Sequence, residues 1–213
     1  MERQIIVLLA IMLTANSGKG QVAMPADAES YRVAFEELHP IPAEYELRSV
    51  TSVELDKKPA YLFRYVTAVN QNPLGEHLSF IMDVESKKVR GFMHAARKYA
   101  QTEMLSAAES QQIAMDFLRR VDPHLAGSLN KLWIAQHNET LVLATEKSLV
   151  ISGMKYKCYR PETDDYSWVI VGFDGSILSF ERDIRWDMQA QARLTEKWLY
   201  DNWLLENGFT NLF

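Results

Sequence analysis

Residues 165–182 read DYSWVIVGFDGSILSFER, and this stretch decides the fold. Two β-rich runs, Tyr166–Phe173 and Ser176–Phe180, flank Asp174-Gly175. An Asp-Gly pair between apolar runs predicts a β-hairpin, with a type I′ turn that needs positive φ at both central positions. Tyr166, Trp168 and Ile170 fall on one face of the first run, and Val169 and Val171 on the other. With both faces apolar, the hairpin belongs at the centre of a sheet covered on both sides.

Working outward, Ser148–Tyr159 reads as a preceding strand. Alternation places Met154, Tyr156 and Cys158 on one face, with Lys155 and Lys157 pointing away. Cys158 is the only cysteine, so no internal disulfide is available. Its apolar face predicts a buried structural thiol rather than a reactive one. Glu162, Asp164 and Asp165 form an acidic cluster that reads as a solvated loop, with cation or basic-peptide binding as the alternative. Lys131–Ala135 and Thr140–Ala144 read as strands separated by a turn at Gln136–Glu139. Asn138-Glu139-Thr140 matches a glycosylation sequon and reads as a plain hairpin turn.

Ser106–Val121 is a helix. Ser106 and Glu109 stand at capping-box spacing, and Ile113, Phe117 and Val121 with Ala114 and Leu118 make its apolar stripe. Asp122-Pro123 stops it. Further upstream, Ala26–Leu38 reads as a helix ended by His39-Pro40-Ile41-Pro42. β-like runs follow at Tyr45–Val53, Ala60–Val69 and Leu78–Val84, with a turn at Asn72-Pro73-Leu74-Gly75 and a further hairpin closed by Val89–Phe92.

The order is therefore helix then strands, twice. The two hairpins align with one extra turn residue in the first, setting Val89 against Ile177 and Phe92 against Phe180. The fold class is α+β: two helix-then-antiparallel-sheet units in tandem plus a C-terminal helix. The segments are 1–23, 24–100, 101–183 and 184–213.

On these residues the chain resembles the PepSY family, over residues 26–183 and most strongly 105–183. That family's unit is an alanine-containing helix, here Ala107, Ala108 and Ala114, followed by antiparallel strands. A hairpin of the form apolar–Asp–x–x–x–Gly–x–apolar closes it. The first hairpin carries the aspartate, Asp83, but has Lys87 where glycine is usual. The second carries the turn glycine, Gly175, and has Gly172 in place of the aspartate. The resemblance implies an exported bacterial protein and a non-catalytic binding or peptidase-inhibiting module, with no catalytic residues to carry over.

Asp187–Leu205 reads as a C-terminal helix capped by Asp187 and ended by Asn207-Gly208. Met188, Ala192, Leu199 and Trp203 form one stripe, with Leu194, Trp198 and Leu205 beside it. This arc is wider than a core stripe needs; the leading reading is a helix docked on the sheet, and the alternative is an exposed partner-binding face, with Trp198, Trp203 and Leu194 the candidate partner-binding residues.

At the other end, Arg3, the apolar run Ile5–Leu13 and the small residues behind it read as a secretory signal over residues 1–23. Cleavage falls at Ser17, Gly20 or Ala23. The run is too short to span a bilayer, and no later run is long enough. The 213 residues include 23 basic and 28 acidic side chains, a net charge of −5. That balance argues against nucleic acid and anionic membrane as partners. His39, His77, His94, His124 and His137 show no metal-ligand spacing, and no G-x-S-x-G, P-loop or G-x-G-x-x-G occurs. No metal or cofactor is expected. The leading expectation is an exported module that binds a protein or peptide partner in the cell envelope. The alternatives are an envelope inhibitor or immunity-type protein of unrelated ancestry, and an enzyme whose site only folding assembles.

Overall fold

The computed structural model describes residues 26–69, 75–100, 103–142 and 148–209. The expected signal segment, most of the turn at 72–75 and the tail from 210 lie outside these residues. The chain opens with α1 (Ala28–Leu38) and four strands: β1 (Tyr45–Leu55), β2 (Lys58–Thr67), β3 (His77–Asp83) and β4 (Val89–Ala95). A 3-10 turn at Arg97–Tyr99 leads to α2 (Ala107–Val121) and α3 (Pro123–Ser128). Four more strands follow: β5 (Asn130–Val142), β6 (Ser148–Arg160), β7 (Asp165–Val171) and β8 (Ile177–Ile184). All eight pair antiparallel in one sheet, in the order β1-β2-β3-β4-β8-β7-β6-β5. The fold is α+β. Strand order reads the same from either end once β1–β4 are matched to β5–β8. The seam is the pairing of β4 with β8 through Gly91↔Glu181, Phe92↔Phe180 and Met93↔Ser179. Gly91 is required there: a Cβ would stand 2.7 Å from the Phe180 carbonyl oxygen.

The capping box of α2 is present in both directions, Ser106 bonding the Glu109 N–H and the Glu109 carboxylate accepting from the Ser106 N–H. Asp122 ends α2 but does not end helix. Its carboxylate accepts from the N–H groups of His124 and Leu125, both at 3.1 Å, and Pro123 stands at the first helical position, so a new helix, α3, starts there. The expected turn at Gln136–Glu139 is instead continuous strand, paired with Met154, Gly153, Ser152 and Ile151. These polar residues lie on the sheet's outermost strand, where side chains can face water without breaking the ladder.

Two cores flank the sheet. Under the helices, Phe35 stacks on Phe80 at 3.7 Å, and Phe117 meets Phe92 and Phe180 at 6.0 and 5.3 Å. Val169, Val171 and Cys158 belong to this side. Cys158 is buried, and burial pushes its thiol up to about 11. On the opposite face lie Leu62, Ile81, Met93, Trp168, Ile170 and Leu178, with Tyr166 packed against them. The alternation read from residues 166–171 is thus the one adopted.

The hairpin turns differ from expectation. Between β7 and β8, Gly172 donates to the Ser176 carbonyl at 2.8 Å, and Gly175 donates to the Gly172 carbonyl at 3.0 Å. Only Gly175 is left-handed, at φ +79°. This is a three-residue loop with a glycine bulge rather than a type I′ turn. Asp174 accepts from the Ser176 N–H and hydroxyl, which favours the ordinary helical region for the aspartate. The turn with two left-handed residues is Asp56-Lys57, at φ 49° and 65°, between paired Leu55 and Lys58.

The expected helix over Asp187–Leu205 is the largest correction. Trp186–Asp187 (β9) pairs with Ala192–Arg193 (β10) in a small hairpin, and the helix, α4, covers only Asp201–Glu206. Asp187 does cap, but it caps the tight turn, accepting from Gln189 and Ala190 at 2.8 and 3.0 Å. Residues 194–200 form an irregular strap along the second face. Thr195, Trp198 and Leu199 are buried, and Arg193 reaches a buried carboxylate. No single helical face could turn all four inward.

Candidate functional site

Trp168 on β7 and Lys155 and Lys157 on β6 share the face opposite the helices, because Lys157 pairs with Trp168 and Lys155 with Ile170. The Lys155 ammonium lies 4.1 Å from the centre of the Trp168 ring. Lys157 is ringed by Tyr166, Trp186 and Trp133 at 4.7, 5.5 and 5.7 Å. The strap and α4 arch over the neighbouring strands and leave a cavity of about 360 Å³. Its floor is Met93, Ala95, Leu141, Ile151 and Trp168, and its roof includes Leu199, Tyr200 and Trp203. That volume is at the small end for a ligand site.

Ion pairs fix the roof to the floor. Glu181, 3% exposed, accepts from Arg193 at 2.7 and 3.2 Å and from the Tyr200 hydroxyl at 2.6 Å. Burial works against the Arg193 charge, and Glu181 more than offsets it. Burial and Glu181 together raise Tyr200 well above the ordinary phenol range, so it stays a donor. Arg64 grips Asp201 at the start of α4 at 2.8 and 3.0 Å. Further along, Trp198 donates its indole N–H to the Glu54 carbonyl at 2.8 Å, and Asp56 accepts from Thr195 at 3.0 Å.

Three polar groups on the cavity wall lack such partners. Lys155 makes no ion pair or hydrogen bond among the described residues, and burial lowers its ammonium to about 8. The Trp168 Nε1–H is buried without a hydrogen-bond partner. His77 is 3% exposed. Its Nδ1 is 3.0 Å from the Gly75 carbonyl, which can only accept, so Nδ1 carries the proton. Its Nε2 is then an unused buried acceptor. Burial lowers His77 to about 4, leaving the ring neutral near pH 7.

Of the three expected partner-binding residues, only Trp203 lines the cavity. Trp198 is buried beside it, 5.1 Å from the Trp203 ring, and serves as core. Leu194 is 52% exposed and lies outside the cavity wall. Lys155, Trp168, Trp186 and Arg193 were missed as site residues. Their available signal was the placement of two lysines on one face of a strand beside the central hairpin. Both aspartates of the acidic cluster are spent on local bonds: Asp165 holds Arg160 at 2.5 Å and Thr163 at 2.6 Å, and Asp164 accepts from Tyr159 at 2.8 Å.

No family model matches the chain, and no curated protein matches it by sequence. Among solved structures it is similar to the C-terminal domain of YpeB from Bacillus megaterium, with a TM-score of 0.51 at 11% identity. The match covers 76% of this chain and 64% of that one, so the chain spans under two thirds of that structure. At this identity the likeness is one of fold. No described helix is long and apolar enough to cross a membrane.

Proposed function

We propose that the protein is an exported, non-catalytic binding module that receives a peptide segment of a partner protein in the cavity beneath the strap. The observation that carries this reading is the cavity itself: an apolar floor walled by Trp168, Trp186 and Trp203, with an unpaired cation among them. Tryptophans in a pre-formed concave site concentrate binding energy. The carboxylates Asp201 and Glu139 on its wall are engaged by Arg64 and His137, which suits holding more than turnover. The PepSY-like hairpins and the fold likeness to the YpeB domain support a module of this class. A peptidase-inhibiting role is the form the resemblance suggests.

The test is capture from a chymotryptic digest of envelope proteins, whose peptides end in large apolar residues, by the immobilised full chain. The wild type retains a defined set of peptides, and Trp186→Ala and Trp203→Ala each lose it while keeping the fold. Equal retention by both variants overturns the cavity as the site. Added to an envelope peptidase, the protein lowers turnover without being cleaved; unchanged turnover rules out inhibition of that enzyme.

A further inference from the structure

The unused polar groups of the cavity have complementary chemistry. Lys155 offers a positive charge above an indole face, buried enough to make an unpaired ammonium costly. The Trp168 indole offers an N–H donor, and His77 Nε2 offers an acceptor. All three residues line the same 360 Å³ space. The two carboxylates whose charge reaches Lys155, Glu181 and Glu139, already hold other partners, Glu139 standing 2.8 Å from His137 Nε2. Glu181 is saturated by Arg193 and Tyr200, and Asp201 is held by Arg64.

We propose that the cavity recognises the free C-terminus of a peptide: the terminal carboxylate on Lys155, the apolar terminal side chain on the tryptophan-lined floor, and a backbone N–H on His77. This rests on the reading of the cavity as a peptide site and names what that site selects. A carboxylate meets an ammonium that makes no ion pair of its own among the described residues, and pairing there makes charge-assisted hydrogen bonds in a largely buried setting. The unused acceptor is what favours a peptide over a simple fatty acid, which has no N–H to give. The volume suits a terminal residue or two rather than a long segment.

The experiment titrates the full chain with N-acetylated apolar dipeptides in two forms, free acid and C-terminal amide, and with octanoate. Calorimetry reads affinity, and the indole N–H signals of Trp168 and Trp186 report entry into the cavity. The acid form binds at least tenfold more tightly than the amide and than octanoate. Lys155→Met removes the preference for the acid, and Lys155→Arg keeps it. The Lys155 13Cε titration midpoint, which burial holds below the ordinary lysine range in the free protein, rises by at least one unit with the acid bound. Equal binding of acid and amide, or a preference that survives Lys155→Met, overturns the carboxylate role and leaves the peptide cavity standing. Octanoate binding as tightly as the acid overturns the peptide C-terminus as the ligand. Indole signals that move with none of the probes overturn both readings.

Discussion

The β7–β8 hairpin reverses on a glycine, and the β3–β4 hairpin reverses on a lysine. Gly175 and Lys87 occupy matching left-handed positions, at φ 79° and 55°. Each follows an aspartate that accepts from a serine backbone N–H: Asp174 from Ser176 at 3.0 Å, Asp83 from Ser86 at 2.7 Å. The second half closes its turn with a residue that costs nothing there. The first half forces a side chain into a disfavoured region there and again at Asp56 and Lys57, as the second half does elsewhere, at Asp164 and Asp183. At Asp56 the turn is held by tertiary contacts. Glu196 accepts from the Asp56 N–H at 2.8 Å, and Thr195 donates to the Asp56 carboxylate. The strap therefore clamps the β1–β2 turn.

The same half holds the buried histidines, and the largest expected effect follows from them. Burial lowers His77 to about 4. Burial, then His39 and Lys98, lowers His94 to about 3. Both folded values lie below the unfolded 6.5, so between pH 6.5 and about 4 the unfolded chain binds protons that the folded chain refuses. Stability is full above pH 6.5 and falls as pH drops through this window, by on the order of 3 kcal/mol for each histidine. Urea denaturation at pH 7 and pH 4.5 reads it, and His94→Gln should flatten the slope. A flat profile in the wild type would remove this distinction between the halves.

Trp198→Ala comes next. It empties a buried site and strands the Glu54 carbonyl, and should cost about 3–5 kcal/mol by chemical denaturation. Trp203→Ala should cost no more than about 2 kcal/mol, because that ring is only half buried. Equal losses would mean that cavity wall and clamp are one unit.

Gly175→Val should cost about 1–3 kcal/mol, since a β-branched residue would sit at positive φ. Lys87→Gly should stabilise by about 0.5–1 kcal/mol, because the left-handed penalty removed exceeds the chain entropy added. Asp56→Gly relieves similar strain yet should destabilise by about 1 kcal/mol, because the strap loses the Thr195 bond. If Lys87→Gly and Asp56→Gly move the midpoint in the same direction, the strap does not hold the first turn.

Much of the sheet was legible because its signals are local. Alternation in Tyr166–Val171 placed each side chain on its face, and Ser106 with Glu109 fixed the start of α2. The C-terminal segment was misread because its 3.6-residue pattern competes with long-range demands. Arg193 must reach Glu181 and Thr195 must reach Asp56, and no local pattern encodes partners so distant in the chain. The site was missed for the same reason. Its wall comes from β3, β4, β5, β6 and β7 and from the strap, and its meaning lies in which polar groups remain unpaired after folding.

Strand β8 lies at the centre of the sheet, but it is the last of the eight to be made. From Ala95 at the end of β4 to Ile177 at the start of β8, about 80 residues must be synthesised. Throughout that interval, the β4 edge at Gly91–Met93 has no neighbour. It is an open hydrogen-bonding edge beside Phe92, the kind of surface that recruits strands from other chains. Only the arrival of Phe180 closes it, and only then can the strap cross. Folding rate and aggregation should therefore respond most sharply to delay between the halves, with a holding chaperone most useful before residue 177 emerges.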